Sequence, residues 1–310
     1  CLLLSKSHAC TTSTKRFIMN SKAQISRVKR KSMDIRYSGR STDYISPSFG
    51  YGCLFNCSYC YMKRHSAKGL TIAGNTEEIL QAIDRHVLFY ANVEKPNQTH
   101  AHFVSYDISC NEDFALHSKF HDWTRIFEFF RDHEFAMGSL ATKMVPLNFL
   151  NFNPEGKIRI RFSLMPQRIS SIVEPNTASI AERIAAIDGF IDAGYDIHVN
   201  FSPIILYNGW EDDYTELFNQ LNYGISDDAK KLVHAECIML THEEAKHKYN
   251  LENNLPGEHL LWNPELQEPK QSQYGGHNVR YKRQLKREAI NKFVHLHDKA
   301  IPWNTIRYIF

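Results

Sequence analysis

The chain has 310 residues, 43% of them hydrophobic, and a net charge of +3 from 37 basic and 34 acidic side chains. A chain of this size can bury a full core in one large domain or two small ones, and it contains no run of about eighteen apolar residues that would span a membrane. Its seven cysteines, three crowded together and the rest far apart, do not make the framework of a disulfide-stapled secreted fold, so a reducing compartment, read as the cytoplasm, is expected.

The charge is uneven. Residues 1–33 hold no Asp or Glu but carry Lys6, Lys15, Arg16, Lys22, Arg27, Lys29, Arg30 and Lys31. Residues 1–40 are therefore expected to be a basic, disordered leader, with an organelle-targeting segment as the rival reading. The chain opens on Cys1 rather than Met, and Met19 and Met33 are candidate starts. Next comes GYGCLFNCSYCY (Gly50 to Tyr61), which places Cys53, Cys57 and Cys60 in one tight loop, with Gly50 and Gly52 free to bend the backbone.

Beyond that loop, apolar β-type runs alternate with helix-period runs. His100 to Ser109 reads as a buried strand, and Trp123, Ile126, Phe127 and Phe130 share one face of a helix. Ala136 to Met144 and Lys157 to Met165 read as strands separated by an Asn-Pro-Glu-Gly turn. Ser179 and Glu182 form a capping box before Ile180, Ile184, Ile187 and Ile191, and Gly194 closes that helix. A strand from Asp196 to Leu206, a helix from about Trp210 and a strand from Val233 to Leu240 follow. With the strand that must lead into Cys53, about six βα units result, which predicts an α/β fold: an incomplete parallel (β/α)6 barrel of the TIM type over residues 41–241. Sites in parallel sheets sit at strand C-terminal ends, where Cys53, Cys110, Lys143 and Ser163 all fall. Residues 242–310 are polar, with Pro256, Pro264 and Pro269, and read as a helical and hairpin appendage.

Four thiolates close a structural zinc site, whereas three leave a valence open for chemistry. A zinc ion completed by a nearby His such as His65, or three inert buried thiols, is the competing reading of the loop. Cys-x3-Cys-x2-Cys followed by an aromatic after the first strand of such a barrel resembles the radical S-adenosylmethionine enzymes. The likeness extends through NTEEIL opening a helix, a strand ending in an isolated Cys before acidic residues, a Thr-Lys pair, RIRFS, AGY, SPI and GWEDDY, with a weaker echo at YGGHNVRY. In order and spacing from about Gly50 to Leu221 this resembles the spore photoproduct lyase family. Its members repair DNA by reversing 5-thyminyl-5,6-dihydrothymine.

The resemblance implies a [4Fe-4S] cluster on Cys53, Cys57 and Cys60, S-adenosylmethionine against Lys143 and Ser163, Cys110 as the hydrogen-atom donor to the product radical, and Tyr59 and Tyr61 as a tyrosine relay. It also implies an electron donor such as a flavodoxin or ferredoxin, and DNA containing a thymine dimer as partner. Where the family tends to carry Thr-Ser-Asp after the isolated Cys, this chain has Asn111, Glu112 and Asp113. Glu112 and Asp113 are read as cofactor contacts, Glu112 as an extra carboxylate near the sulfonium. That change also motivates a second reading, radical chemistry on another base lesion, on RNA or on a peptide. A third is a zinc-bearing nucleic-acid-binding module. The Gly-Gly-Glu motif common elsewhere in the superfamily is missing. A second acid-free stretch, Lys270 to Arg287, is read as a DNA-contacting hairpin in which Arg280, Lys282 and Arg283 meet phosphates.

Overall fold

Successive side chains of a strand point to opposite faces, and the central strands of this chain use that rule to separate two interiors. The computed structural model describes residues 25–38, 41, 43–55, 57–62, 69–90, 100–271 and 276–310. His65, the tip of the 267–281 hairpin and residues 1–24 of the leader lie outside them. The first strands are β1 (Ile25–Val28), β2 (Arg36–Tyr37), β3 (Tyr44–Ile45), β4 (Gly50–Tyr51) and β5 (Leu70–Ala73). Then follow α1 (Thr76–Tyr90), β6 (Val104–Asp107), α2 (Phe114–His117), α3 (Trp123–Asp132), β7 (Ala136–Thr142), β8 (Ile158–Ser163) and α4 (Gln167–Val173). The rest comprises α5 (Ile180–Ala185), α6 (Ile187–Asp192), β9 (Asp196–Ile204), α7 (Trp210–Gly224), α8 (Asp227–Lys230), β10 (His234–Met239), β11 (Thr241–Glu243), α9 (Glu244–Glu252), α10 (Glu258–Leu261), β12 (Gln267–Gln271), β13 (His277–Tyr281), α11 (Arg283–Ala300) and β14 (Thr305–Ile309).

The main sheet is eight-stranded, ordered β14-β10-β9-β8-β7-β6-β3-β2. Every neighbouring pair in it is parallel except β2 with β3. It is the curled, largely parallel sheet of a partial barrel. The outward residues are apolar and meet helices: Phe162 packs on Phe190 of α6, and Phe201 on Phe218 of α7 and Phe293 of α11. The concave face carries the alternate set, Ser105, Asp107, Ser139, Arg159, Arg161, Ser163, His198, Asn200 and Glu236, nearly all of them buried.

Several elements differ from the expectation. Ile25–Val28, inside the stretch read as leader, is a strand that pairs parallel with β5. Its basic residues are used: the Arg30 guanidinium donates to the carbonyls of Ser48 and Thr71. The C-terminal segment does not stand apart from the barrel either. β14 adds to the sheet beside β10, and α11 packs against α7 through Phe293. The expected single helix after Ser179 keeps its capping box but breaks at Ala186 into α5 and α6. Two three-stranded sheets flank the main one, β1-β5-β4 and the antiparallel β11-β13-β12; β12 and β13 pair as a hairpin, whereas Arg283 to Arg287, read as part of the hairpin, open α11. β11 begins two residues after β10 ends, so the antiparallel sheet stands at the C-terminal ends of the barrel strands. No described helix is long and apolar enough to cross a membrane.

Candidate active site

The cysteine loop leaves β4 at Tyr51 and is held from three sides. Gly52 adopts φ 103°, a conformation that side chains disfavour, and its N–H donates to the Asn111 carbonyl at 3.1 Å. Leu54 N–H donates to His117 Nε2 at 3.2 Å. Ser58 N–H donates to the Val173 carbonyl at 2.8 Å, and the Ser58 carbonyl accepts from Asn250 Nδ2 at 2.8 Å. The thiols of Cys53, Cys57 and Cys60 lie close enough to influence one another's charge. Burial first, then neighbouring negative charge, pushes the Cys53 and Cys57 thiols up, so bare thiolates are disfavoured and a coordinated cation is what would deprotonate them. The backbone N–H groups of Phe55 and Asp113 point at the Cys53 sulfur. Among the described residues, no group of three or more His, Cys, Asp or Glu is placed to hold a metal ion.

Lys143 follows the end of β7 and Ser163 closes β8. Lys143 Nζ lies 3.5 Å from Ser163 Oγ and 5.7 Å from the centre of the Tyr59 ring. Burial alone would lower the lysine's pKa; the negative charge of Glu174, first among its neighbours, outweighs it and holds the ammonium above its usual value. Glu174, which the sequence reading did not single out, organises this corner. Its Oε1 accepts the Tyr59 hydroxyl, and its Oε2 accepts from Ser170 Oγ and from both terminal nitrogens of the fully buried Arg183. Arg183 also donates to the Ser163 carbonyl at 2.7 Å. A buried Arg on the face of α5 that otherwise presents Ile180 and Ile184 was the available signal, because a buried guanidinium requires a partner.

On the other side of the loop, Cys110 follows β6. The Tyr61 hydroxyl sits against it, donating to its carbonyl at 3.1 Å and reaching its thiol. Burial, then the charge of Asp107, pushes the Cys110 thiol up to about 11. Asp107 in turn is clamped between Arg161 Nη2 at 2.9 Å and the Ser109 N–H at 2.8 Å. The structure thus places Tyr61 with Cys110, and Tyr59 with Glu174 and Lys143. Two tyrosines separated by one residue serve different sides of the loop.

Glu112 and Asp113 are engaged within the protein. Asp113 caps α2, accepting from Leu116 N–H, and also accepts from Thr142 Oγ1 and Lys143 N–H. Glu112 Oε2 accepts from His117 Nδ1 and His121 Nε2, each at 2.9 Å. The carboxylate is fully buried and occupies the space that a Cβ on Gly50 would need. Donors within the protein reach three of their four carboxylate oxygens, and Glu112 Oε1 is buried without a hydrogen-bond partner. Ser139 Oγ and Asn200 Oδ1 are also buried and without partners. Asn200 is level with Ser163 across the β8–β9 pair, so the concave face ends in polar groups able to receive a ligand.

The hairpin cations are partly spoken for. Arg280 Nε donates to Glu268 at 2.9 Å, and Lys282 Nζ to the Glu265 carbonyl at 2.7 Å. Arg283 is exposed at the start of α11.

A model of the family described as spore photoproduct lyase matches residues 9–310. The chain is 28% identical over 287 residues to a spore photoproduct lyase of Bacillus subtilis (strain 168), covering 90% of this chain and 80% of that one. It is 24% identical over 222 residues to a spore photoproduct lyase of Geobacillus sp. (strain Y412MC61), covering 71% and 61%. Among solved structures, a spore photoproduct lyase complexed with dinucleoside spore photoproduct matches with a TM-score of 0.81 at 21% identity, over 92% of this chain and 82% of that one. A variant of spore photoproduct lyase with bound AdoMet and dinucleoside spore photoproduct matches at 0.79 and 20%, over the same shares.

Proposed function

The chain belongs to the spore photoproduct lyase family, and on that premise we propose how its residues carry out the repair of 5-thyminyl-5,6-dihydrothymine in DNA. The observation that supports the reading most is the gathering, at one end of the parallel sheet, of the three-cysteine loop, the Lys143–Ser163 corner and the Cys110–Tyr61 pair. Cys53, Cys57 and Cys60 would hold a [4Fe-4S] cluster, and Lys143, Ser163 and the open acceptors of the concave face would hold S-adenosylmethionine. When bound, the cluster and S-adenosylmethionine supply a 5′-deoxyadenosyl radical that takes a hydrogen atom from the dimer and lets its bridging carbon–carbon bond break.

The chain's own contribution begins after that. Cys110 Sγ gives its hydrogen atom to the methyl-position radical of the released thymine, a favourable exchange because S–H is the weaker bond. Tyr61, whose hydroxyl already touches Cys110, would return a hydrogen atom to the resulting thiyl and regain one from 5′-deoxyadenosine, so that no radical is left on the protein. Tyr59 positions Lys143, its hydroxyl tied down by Glu174. Lys282 and Arg283, with Arg280 once it leaves Glu268, meet phosphates near the lesion, and base extrusion costs least at a distorted dimer. An electron donor of the flavodoxin or ferredoxin kind would reduce the cluster. Glu112 Oε2 is bonded to two histidines, which favours a role within the protein for this carboxylate over one toward a different substrate.

The test is anaerobic incubation of the reconstituted protein with S-adenosylmethionine, dithionite and a dinucleotide spore photoproduct. Release of the paired thymine dinucleotide is expected; cleavage of S-adenosylmethionine without conversion of the dimer would overturn the substrate assignment.

A further inference from the structure

Cys53, Leu54, His117, Glu112 and Asp113 close a ring. Leu54, next to the cysteine, donates its N–H to His117 Nε2. That bond makes Nε2 the acceptor and puts the ring proton on Nδ1, from which it is donated to Glu112 Oε2 at 2.9 Å. The peptide leaving Glu112 carries the Asp113 N–H, which points back at the Cys53 sulfur. His121 donates to the same carboxylate oxygen from the far side, and both histidines are buried with it. Gly50 leaves the room that the carboxylate fills.

We propose that Glu112 and His117 are positioning residues that hold two backbone N–H groups, those of Phe55 and Asp113, on the sulfur of Cys53 and thereby set the reduction potential of the cluster. The inference rests on the reading of Cys53 as a cluster ligand. Hydrogen bonds to ligand sulfurs are among the levers that set such potentials, because a donor stabilises the added negative charge of the reduced state. Leu54 and Glu112 are the residues covalently joined to the two ends of the Cys53–Asp113 contact. Cutting the ring between them leaves both peptides free to rotate off the sulfur. The expected result is a more negative potential.

The experiment measures the midpoint potential of the reconstituted protein by redox titration followed by electron paramagnetic resonance, alongside iron and sulfide per chain. His117→Ala removes the acceptor for Leu54; Glu112→Gln allows the imidazole to take the other tautomer. Each should lower the one-electron reduction constant by on the order of tenfold, about 59 mV. His117→Gln, whose side-chain carbonyl can accept the Leu54 N–H, should recover most of the shift. A purely structural role would lower iron content while leaving the potential of the loaded fraction at its original value, and that result overturns the proposal. If His117→Ala does not load, Glu112→Gln and His117→Gln decide the question between them. Failure of the unaltered protein to bind iron and sulfide would instead strike the cysteine reading itself.

Discussion

In the proposed role Cys110 would donate a hydrogen atom only as a thiol, and its surroundings keep it one. With the pKa pushed up to about 11 by burial and Asp107, the protonated form prevails at every pH below that value. Product fidelity should therefore stay level between about pH 7 and 9 and fall only as pH approaches 11, where the thiolate forms; chromatography of products across that range checks it. Cys110→Ala should still bind iron and cleave S-adenosylmethionine but divert repair toward adducts that trap the thymine radical. Tyr61→Phe should slow recovery of Cys110, whereas Tyr59→Phe should weaken S-adenosylmethionine binding, because Tyr59 faces Lys143 and Glu174 instead. Equal effects of the two tyrosine changes on product distribution would contradict the division of labour. The motif spacing revealed both tyrosines but not their different partners, since Glu174 and Arg183 lie more than a hundred residues further along the chain.

At the scale of elements, β4 and the loop after β6 meet at Gly50, where an added Cβ would overlap the Glu112 carboxylate. Gly50→Ala should destabilise the protein by about 1–3 kcal/mol, the usual result of overpacking a filled site, with reduced iron loading. Gly50→Ala combined with Glu112→Ala should recover stability, and thermal denaturation of the single and double variants tests the pairing. Where the hairpin runs into α11, replacing Lys282 and Arg283 by Gln should weaken binding to all duplexes and reduce the salt slope by about one unit per lost phosphate contact. Arg280→Gln should do less, because in the free protein its guanidinium is bonded to Glu268. Equilibrium binding at several salt concentrations distinguishes the three, and an unchanged slope in all would leave the hairpin as a solvated basic surface. The hairpin was legible from its composition; its placement at the ends of β9 and β10, where Tyr281 receives the Leu206 N–H, was not.

At the scale of the whole molecule, the concave face of the sheet is a buried ionic network. Arg161 is shared among Asp43, Asp107 and Glu236, His198 bridges Glu236 and Asp196, and Arg159 binds Asp196. Burial alone would raise the carboxylate pKa values; the His198 hydrogen bonds and the charges of Arg159 and Arg161 outweigh it and hold Asp196 and Glu236 well below the usual range. A folded-state pKa below the unfolded one contributes stability that is fully present above the unfolded value, about 4, and is lost as pH falls below it toward the folded value. Stability measured by denaturant titration should hold down to about pH 4 and then decline steeply, and Glu236→Gln should be destabilising at neutral pH because Arg161 and His198 lose their partner. The sequence by itself determined the alternation of strands and helices, the capping box at Ser179, the three-cysteine loop and its family, because these are local patterns written in consecutive residues. Only the tertiary structure decided that β1 and β14 extend the sheets, that Glu112 supports the cysteine loop through His117, and that Tyr59 and Tyr61 serve opposite sides of it. Each of those outcomes is a contact between residues distant in the chain, and a buried charge takes its role from whichever partner the fold brings within reach of it.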